Sequence, residues 1–274
     1  CVEKGRHMAG ELAGRFSGLL LDIDGVLYRG NDALEGATEL FPALREAGLS
    51  FILLTNNATL RAADFSDKLA RMGIDVEAGS ILTSAGATAT YLRTHFPEGG
   101  GVYVLGEEAL VRTIEEVPNF HVEAERPEFV VAGLFFGFDY QALRTACTAI
   151  RRGARFIATN VDTTLPVEGG DFWPGAGSLV AAVQACSGVA PTVIGKPSVH
   201  GGEMALEKLG LPAYQVLCVG DRLDTDIVMG RDAGMPTALL LTGVSQPADI
   251  ERTGIVPDYI FDDLSALVSA LGIG

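Results

Sequence analysis

The residues of this chain best placed to do chemistry begin with two aspartates. In Leu19-Leu20-Leu21-Asp22-Ile23-Asp24-Gly25-Val26-Leu27-Tyr28, an apolar run of the kind that forms a strand buried on both faces stops at a carboxylate. A second carboxylate follows two residues later, and Gly25 then lets the backbone turn. Acids at the end of a buried strand cost free energy unless something pairs with them. A divalent cation and a phosphate would do so. A strand-end turn with solvated acids is the plainer alternative, and this stretch alone does not choose between them.

Other apolar runs end in residues of matching chemistry. Phe51-Ile52-Leu53-Leu54 closes at Thr55-Asn56-Asn57, Thr192-Val193-Ile194 at Gly195-Lys196, and Val216 to Val219 at Gly220-Asp221. In an open parallel sheet, ligands bind outside the carboxyl ends of the strands. Asp22, Thr55, Lys196 and Asp221 are therefore expected along one sheet edge. Asp22, Asp24 and Asp221 supply hard oxygen ligands suited to Mg²⁺. Lys196 supplies a positive charge, and Thr55 with the amides after it supplies donors. A phosphoryl group needs this mixture for in-line attack. One carboxylate can attack phosphorus to give an aspartyl-phosphate, while the other protonates the leaving oxygen and later activates water.

The elements that must position these residues alternate between strand and helix, which argues for parallel β-α-β units. Helices are expected over 36–47, around Phe65 to Met72 and over 85–96, with a short strand at Ile81-Leu82. Pro97-Glu98-Gly99-Gly100-Gly101 reads as a linker. Beyond it the alternation restarts: strand 102–105, helix 107–116, strand 129–136, helix 140–152, strand 156–158, a loop over 159–174 and a helix over 178–186. From Pro191 the first pattern resumes, with strands at 192–194, 216–219 and 237–241 and helices around 204–209, 225–233 and 263–271. The expected organisation is a core from residues 1–96 and 191–274, with a second α/β domain inserted at 97–190.

Bulk properties limit the classes of function. Of 274 residues, 48% are apolar, enough for a packed core, and the net charge of −15 disfavours binding nucleic acid through basic surface. The longest apolar stretch, Phe129 to Phe138, falls well short of the ~20 residues needed to cross a bilayer. Cys1 to Met8 carries no hydrophobic signal region, so a soluble, cytoplasmic protein is expected. The four cysteines show no paired spacing and read as reduced, buried thiols.

The ordered set of motifs resembles the haloacid dehalogenase-like (HAD) hydrolases. Asp22-Ile23-Asp24-Gly25-Val26-Leu27 is similar to the first family motif and Leu53-Leu54-Thr55-Asn56-Asn57 to the second. Lys196 in Gly195-Lys196-Pro197-Ser198 matches the third, and Gly220-Asp221-Arg222-Leu223-Asp224-Thr225-Asp226 the fourth. An insertion between the second and third motifs is the arrangement of the NagD-type members (subclass IIA). The resemblance implies a Rossmann-like, doubly wound parallel core with an α/β cap of the C2a type. It also implies Asp22 as nucleophile and metal ligand, and Asp24 as general acid/base whose carbonyl meets Mg²⁺. Thr55, Asn56, Asn57 and Lys196 would hold the phosphoryl group, with Asp221 and Asp226 at the metal. Asp24 marks the phosphate branch of the family.

In such proteins the cap loop selects the leaving group. Here it should be Asn160 to Pro166, with Asp162, Thr163 and Thr164 facing the substrate and no basic residue among them. Pyridoxal-phosphate phosphatases of the group carry a histidine where this chain has Leu165 and an arginine where it has Thr59; both departures count against that substrate. The expected activity is hydrolysis of small phosphorylated metabolites, such as nucleoside monophosphates or sugar phosphates, and of p-nitrophenyl phosphate. A non-catalytic phosphometabolite sensor and, less readily, a phosphomutase are the alternatives. Trp173 is expected as an anchor of the cap core. Gly175-Ala176-Gly177 allows either an anion cradle or a tight turn for close helix packing, and Phe135 and Phe136 allow either cap core or a subunit contact. The resemblance also allows a homodimer through the cap.

Overall fold

The computed structural model describes residues 10–166 and 171–274, so the expectation for Cys1 to Met8 lies outside the described residues. The chain forms two compact units. The first comprises the chain up to Thr55 together with Ala63–Leu82 and Lys196–Gly274; the second comprises Asn56–Ala62 and Thr83–Gly195.

The first unit is built on a six-stranded sheet in the order Tyr259–Phe261, Thr237–Leu240, Val216–Gly220, Gly18–Leu21, Ser50–Thr55, Ile81–Thr83. The pairings from Ser50–Thr55 through to Tyr259–Phe261 are all parallel. Gly18–Leu21, Val216–Gly220 and Thr237–Leu240 are buried at every position, which is why they read as unbroken apolar runs. Strand order runs outward in opposite directions from Gly18–Leu21, so a topological switch point falls beside it. The helix Ala37–Glu46 buries Leu40, Phe41 and Leu44, which its sequence spacing puts on one face, together with Ala37. Leu20, Ile52, Leu54, Val216 and Cys218 from the sheet form one core with Ala205, Met229 and Met235.

Some elements of this unit escape the sequence pattern. Tyr259–Phe261 is too short to show alternation. The helix Pro247–Thr253 is set by its first turn instead: Pro247 needs no donor there, and the Asp249 side chain accepts from the Gln246 amide at 2.9 Å.

The second unit holds a five-stranded sheet in the order Thr192–Val193, Arg155–Ala158, Phe129–Ala132, Gly100–Leu105, Phe120–Val122. Its pairings are parallel. Thr192 and Val193 pair with Ile157 and Ala158, so this strand belongs to the second sheet and not, as expected, to the sheet carrying Asp22. The expected strand 129–136 ends at Ala132; at Gly133 a β-carbon would stand 2.9 Å from Thr159 Oγ1. The loop over 159–174 contains a hairpin of Thr164–Pro166 with Phe172–Pro174. Val130, Ala132, Phe156 and Ala158 pack with Ala146, Ile150, Val180 and Val183, and Phe135 lies partly buried against them. Trp173 is not a core anchor. It is 55% exposed and meets the 62%-exposed Phe136 edge-on. Cys147, Cys186 and Cys218 are free thiols, but Cys186 is exposed where burial was expected.

The glycine pair before the helix Ala176–Ser187 is a close-packing device. Its amides are spent on carbonyls, Gly175 on Thr163 at 2.9 Å and Gly177 on Asp162 at 2.8 Å. A β-carbon on Gly177 would stand 2.2 Å from the Val161 carbonyl oxygen. Gly177→Ala is therefore expected to destabilise the protein by roughly 1–3 kcal/mol or more. Gly86→Ala, inside the helix Ser84–His95, would meet only Thr83 Oγ1, at an ordinary contact distance of 3.5 Å, and should stabilise by about 1 kcal/mol. Thermal denaturation of the two variants checks the contrast, and equal melting temperatures would refute it.

Candidate active site

The register of the first sheet brings the acids together. Leu21 lies opposite Val219 on one side and Leu53 on the other, so Asp22, Asp221 and Thr55 leave the sheet at the same edge. The Asp22 amide still reaches back to the Val219 carbonyl at 2.9 Å. Asp22, Thr55, Asp221 and Asp226 are buried, as is Lys196, which is only 4% exposed. Lys196 reaches this edge by another route than the one its sequence suggests. It follows Thr192–Val193 of the second sheet by three residues and stands just ahead of the helix Val199–Leu209.

Lys196 is the hub. Its Nζ lies 2.6 Å from Asp22 Oδ1 and 2.7 Å from Asp226 Oδ1. Burial alone would depress the ammonium, but Asp22 and Asp226 outweigh it and hold the group above its ordinary value. The Asp22 carboxyl is pushed well above the usual range, first by burial. Lys196 opposes the shift, and Asp226 and Asp221 add to it. Burial and then Asp226 push Asp221 up to about 7, against the Val244 amide and the charges of Lys196 and Arg222.

Backbone geometry sets Asp221 and Asp226. Asp221 Oδ2 accepts from the Val244 amide at 2.7 Å, and a β-carbon on Gly243 would stand 1.8 Å from that oxygen. Gly25, at φ +81°, approaches the same carboxylate from the other side, and a β-carbon there would lie 2.6 Å from Asp221 Oδ2. Asp226 sits in a widened π-type turn, Leu223–Ile227. Its Oδ2 accepts from the Arg222 amide at 3.0 Å, so both of its oxygens have partners. Gly220 leaves room for it, since a β-carbon there would fall 2.2 Å from Asp226 Cγ. Asp224, by contrast, pairs with Arg222 and is exposed.

The arrangement fits a metal ion. Asp22, Asp221 and Asp226 offer carboxylate oxygens all within 4.8 Å of one another. Three acids face the one Lys196 ammonium here, and Asp221 Oδ1 is buried with no hydrogen-bond partner among the described residues. Oxygen-only donors with surplus negative charge suit a hard divalent cation. Of the three, Asp221 has the spare oxygen to offer a cation. Asp226 is committed first to Lys196 and the Arg222 amide.

Asp24 differs from Asp22. The residue is exposed, and the atoms packed around its carboxyl, which cost that group water, are the main reason it is raised. A hydrogen bond from the Tyr28 hydroxyl opposes that shift, as do the charges of Lys68 and Lys196. Tyr28 and Lys68 carry no family motif. Tyr28 belongs to the opening stretch but reads there as one more apolar residue.

The remaining expected site residues lie in the second unit, where they bond to one another. Asn56 Nδ2 donates to Asp162 Oδ2 at 3.0 Å, and Asn160 Nδ2 donates to the Asn56 carbonyl at 2.7 Å. Ser84 Oγ donates to that carbonyl too, at 2.6 Å. Asn57 Oδ1 accepts from the Thr59 amide at 2.7 Å and from the Thr59 hydroxyl at 2.8 Å, closing a turn. Thr163 and Thr164 are exposed. Sequence reading placed Asp162 toward the substrate and missed that it orients Asn56.

Known proteins resemble this chain over nearly its whole length. The haloacid dehalogenase-like hydrolase family model matches residues 19–118, and a HAD-hydrolase-like model matches residues 193–267. An acid sugar phosphatase of Staphylococcus aureus (strain MRSA252) is 37% identical over 257 residues, covering 94% of this chain and 98% of the relative. A 4-nitrophenylphosphatase from Thermotoga maritima superposes with a TM-score of 0.89 at 35% identity, covering 94% of this chain and 98% of the other. NagD from E. coli K-12 superposes with a TM-score of 0.84 at 36% identity, covering 91% and 97%. Among the described residues, no helix is long and apolar enough to cross a membrane. By motif order, site geometry and this similarity, the chain belongs to the haloacid dehalogenase-like hydrolases and is a phosphatase of the NagD type.

Proposed function

We propose that this phosphatase is a Mg²⁺-dependent phosphomonoesterase that works through an aspartyl-phosphate on Asp22. The observation that carries the reading is the buried Asp22 carboxylate, ion-paired to Lys196 beside the spare oxygen of Asp221. In the first step an Asp22 oxygen attacks phosphorus and the bond to the leaving oxygen breaks. The Asp24 carboxyl gives its proton to that oxygen. In the second step Asp24, now a carboxylate, takes a proton from water as the water oxygen attacks phosphorus and frees Asp22. Lys196 balances charge on the transferred group throughout, with Thr55 and the Asn56 and Asn57 segment as donors. Asp22, Asp221, the Asp24 carbonyl and, at one remove, Asp226 would hold Mg²⁺, which supplies charge neutralisation at the phosphoryl oxygens.

The substrate proposed is a small monophosphate with an uncharged body, of the sugar phosphate or nucleoside monophosphate type, with p-nitrophenyl phosphate as the test substrate. The Staphylococcus aureus relatives named as acid sugar phosphatases support this class. So does the segment from Asn160 to Pro166, which has no basic residue to meet a second anionic group. We take the first unit, which carries Asp22 and Lys196, as the core and the second unit as the cap.

Asp22→Asn should lower p-nitrophenyl phosphate turnover by roughly a thousandfold or more while the protein still melts cooperatively. A folded variant with full turnover would overturn the nucleophile assignment.

The raised carboxyls give a pH-dependent signature of the cation. Asp221 has an ordinary value of 3.8 and is lifted to about 7, so between these values the folded chain binds more protons than the unfolded one. Without cation, stability attributable to this group therefore falls as pH rises through that window. Added Mg²⁺ competes with those protons, so it should raise the melting temperature more at pH 8 than at pH 5.5. An equal shift at both values, or none, would contradict the proposed metal site.

A further inference from the structure

Tyr28 is 1% exposed, yet its hydroxyl is hydrogen-bonded to Asp24, an exposed residue. The turn between them is tightly made. The Gly25 amide donates to the Tyr28 carbonyl at 2.9 Å, and the Leu27 amide to the Ile23 carbonyl at 2.8 Å. Tyr28 then starts a short strand paired with Asp32–Ala33, which fixes the backbone that carries the ring. Lys68, on the helix Ala62–Arg71, holds its Nζ 3.9 Å from the centroid of the same ring. An ammonium on an aromatic face is attracted by the ring quadrupole, and it draws electron density from the phenol oxygen. The hydroxyl becomes a stronger donor as a result.

We propose that Tyr28, braced by Lys68, is a positioning residue for Asp24. Its hydroxyl engages one carboxyl oxygen and so leaves the other to carry the proton that goes to the leaving group. The inference rests on the reading of Asp24 as general acid. The proton account closes without Tyr28: Asp24 loses its proton to the leaving oxygen as the phosphorus–oxygen bond breaks, and regains one from water. Tyr28 keeps its own proton throughout. Burial, with the nearby Asp24 charge, pushes its hydroxyl further up from an already high ordinary value. The same two contacts would be wasted on a tyrosine present only to fill space, since phenylalanine packs equally well.

The test compares two substrates that differ in their need for an acid. p-Nitrophenolate leaves as a stable anion, whereas the alkoxide of glycerol phosphate must be protonated as it leaves. The quantity read is kcat/KM, which covers the steps up to departure of the leaving group. A placed general acid contributes about 10²–10⁴-fold, so Tyr28→Phe should lower kcat/KM on glycerol phosphate roughly tenfold or more. On p-nitrophenyl phosphate it should stay within about twofold of the parent. Lys68→Met leaves the phenol in place and should move the same ratio the same way by a few-fold, so it serves even if Tyr28→Phe folds poorly. Asp24→Asn separates the two layers of argument. If it penalises glycerol phosphate selectively while Tyr28→Phe and Lys68→Met reduce both substrates alike, the positioning role is overturned and the reading of Asp24 stands. If Asp24→Asn shows no selectivity, the reading fails and this inference fails with it.

Discussion

The ion pairs of Lys196 with Asp22 and Asp226 are the constraint on which the rest of the site depends. Taking carboxylates out of water is costly, and removing one partner of a buried pair typically costs about 3–5 kcal/mol because the other charge is stranded. Here two acids pair with one ammonium and a third, Asp221, has its carboxylate within 4.8 Å of theirs, so the edge of the sheet is built with a deficit of positive charge. Burial first, and the neighbouring acids after it, push Asp22 and Asp221 upward. A site balanced within itself would bind a cation and a phosphate weakly. One left unbalanced by this much gains from the first and, through it, tolerates the second.

Such crowding of acids is possible only where the backbone can come close. Gly25 and Gly243 flank Asp221, and Gly220 flanks Asp226, with no room for a β-carbon at any of them. These glycines are as much part of the site as the charges, because they let main-chain amides meet the carboxylates directly. The amide of Val244 on Asp221 and that of Arg222 on Asp226 fix oxygens without adding charge.

The legible part of the sequence was the part governed by local rules. Buried strands such as Leu19-Leu20-Leu21 and Val216 to Val219 announce themselves by composition, and the polar residue that ends each run is where a parallel sheet puts its chemistry. Asp22, Asp221 and Thr55 could be read on that ground alone. Lys196 was found for a reason that the structure corrects: its preceding strand pairs in the other sheet. An apolar triplet such as Thr192-Val193-Ile194 carries no information about which partner it will choose. The hydrogen bond from Asn56 to Asp162 joins residues 106 apart in sequence, and the Lys68 ammonium over Tyr28 joins two different elements. Contacts of that kind follow from tertiary packing and leave no trace in spacing. Trp173 misled because size and apolarity argue for burial, while its place on a short hairpin left it exposed.

The π-type turn at Leu223–Ile227 has a further meaning when viewed as a matter of register. Such a turn holds one residue more than an ordinary helical turn would. That extra residue sets the angle at which Asp226 emerges. In a regular helix each residue advances the direction by about 100°, so deleting one here would swing the carboxylate away from the lysine it faces. The segment thus behaves as a phase marker in the chain. Side chains around it can vary, but its length cannot, and an insertion or deletion too small to disturb the fold would still put the site out of step.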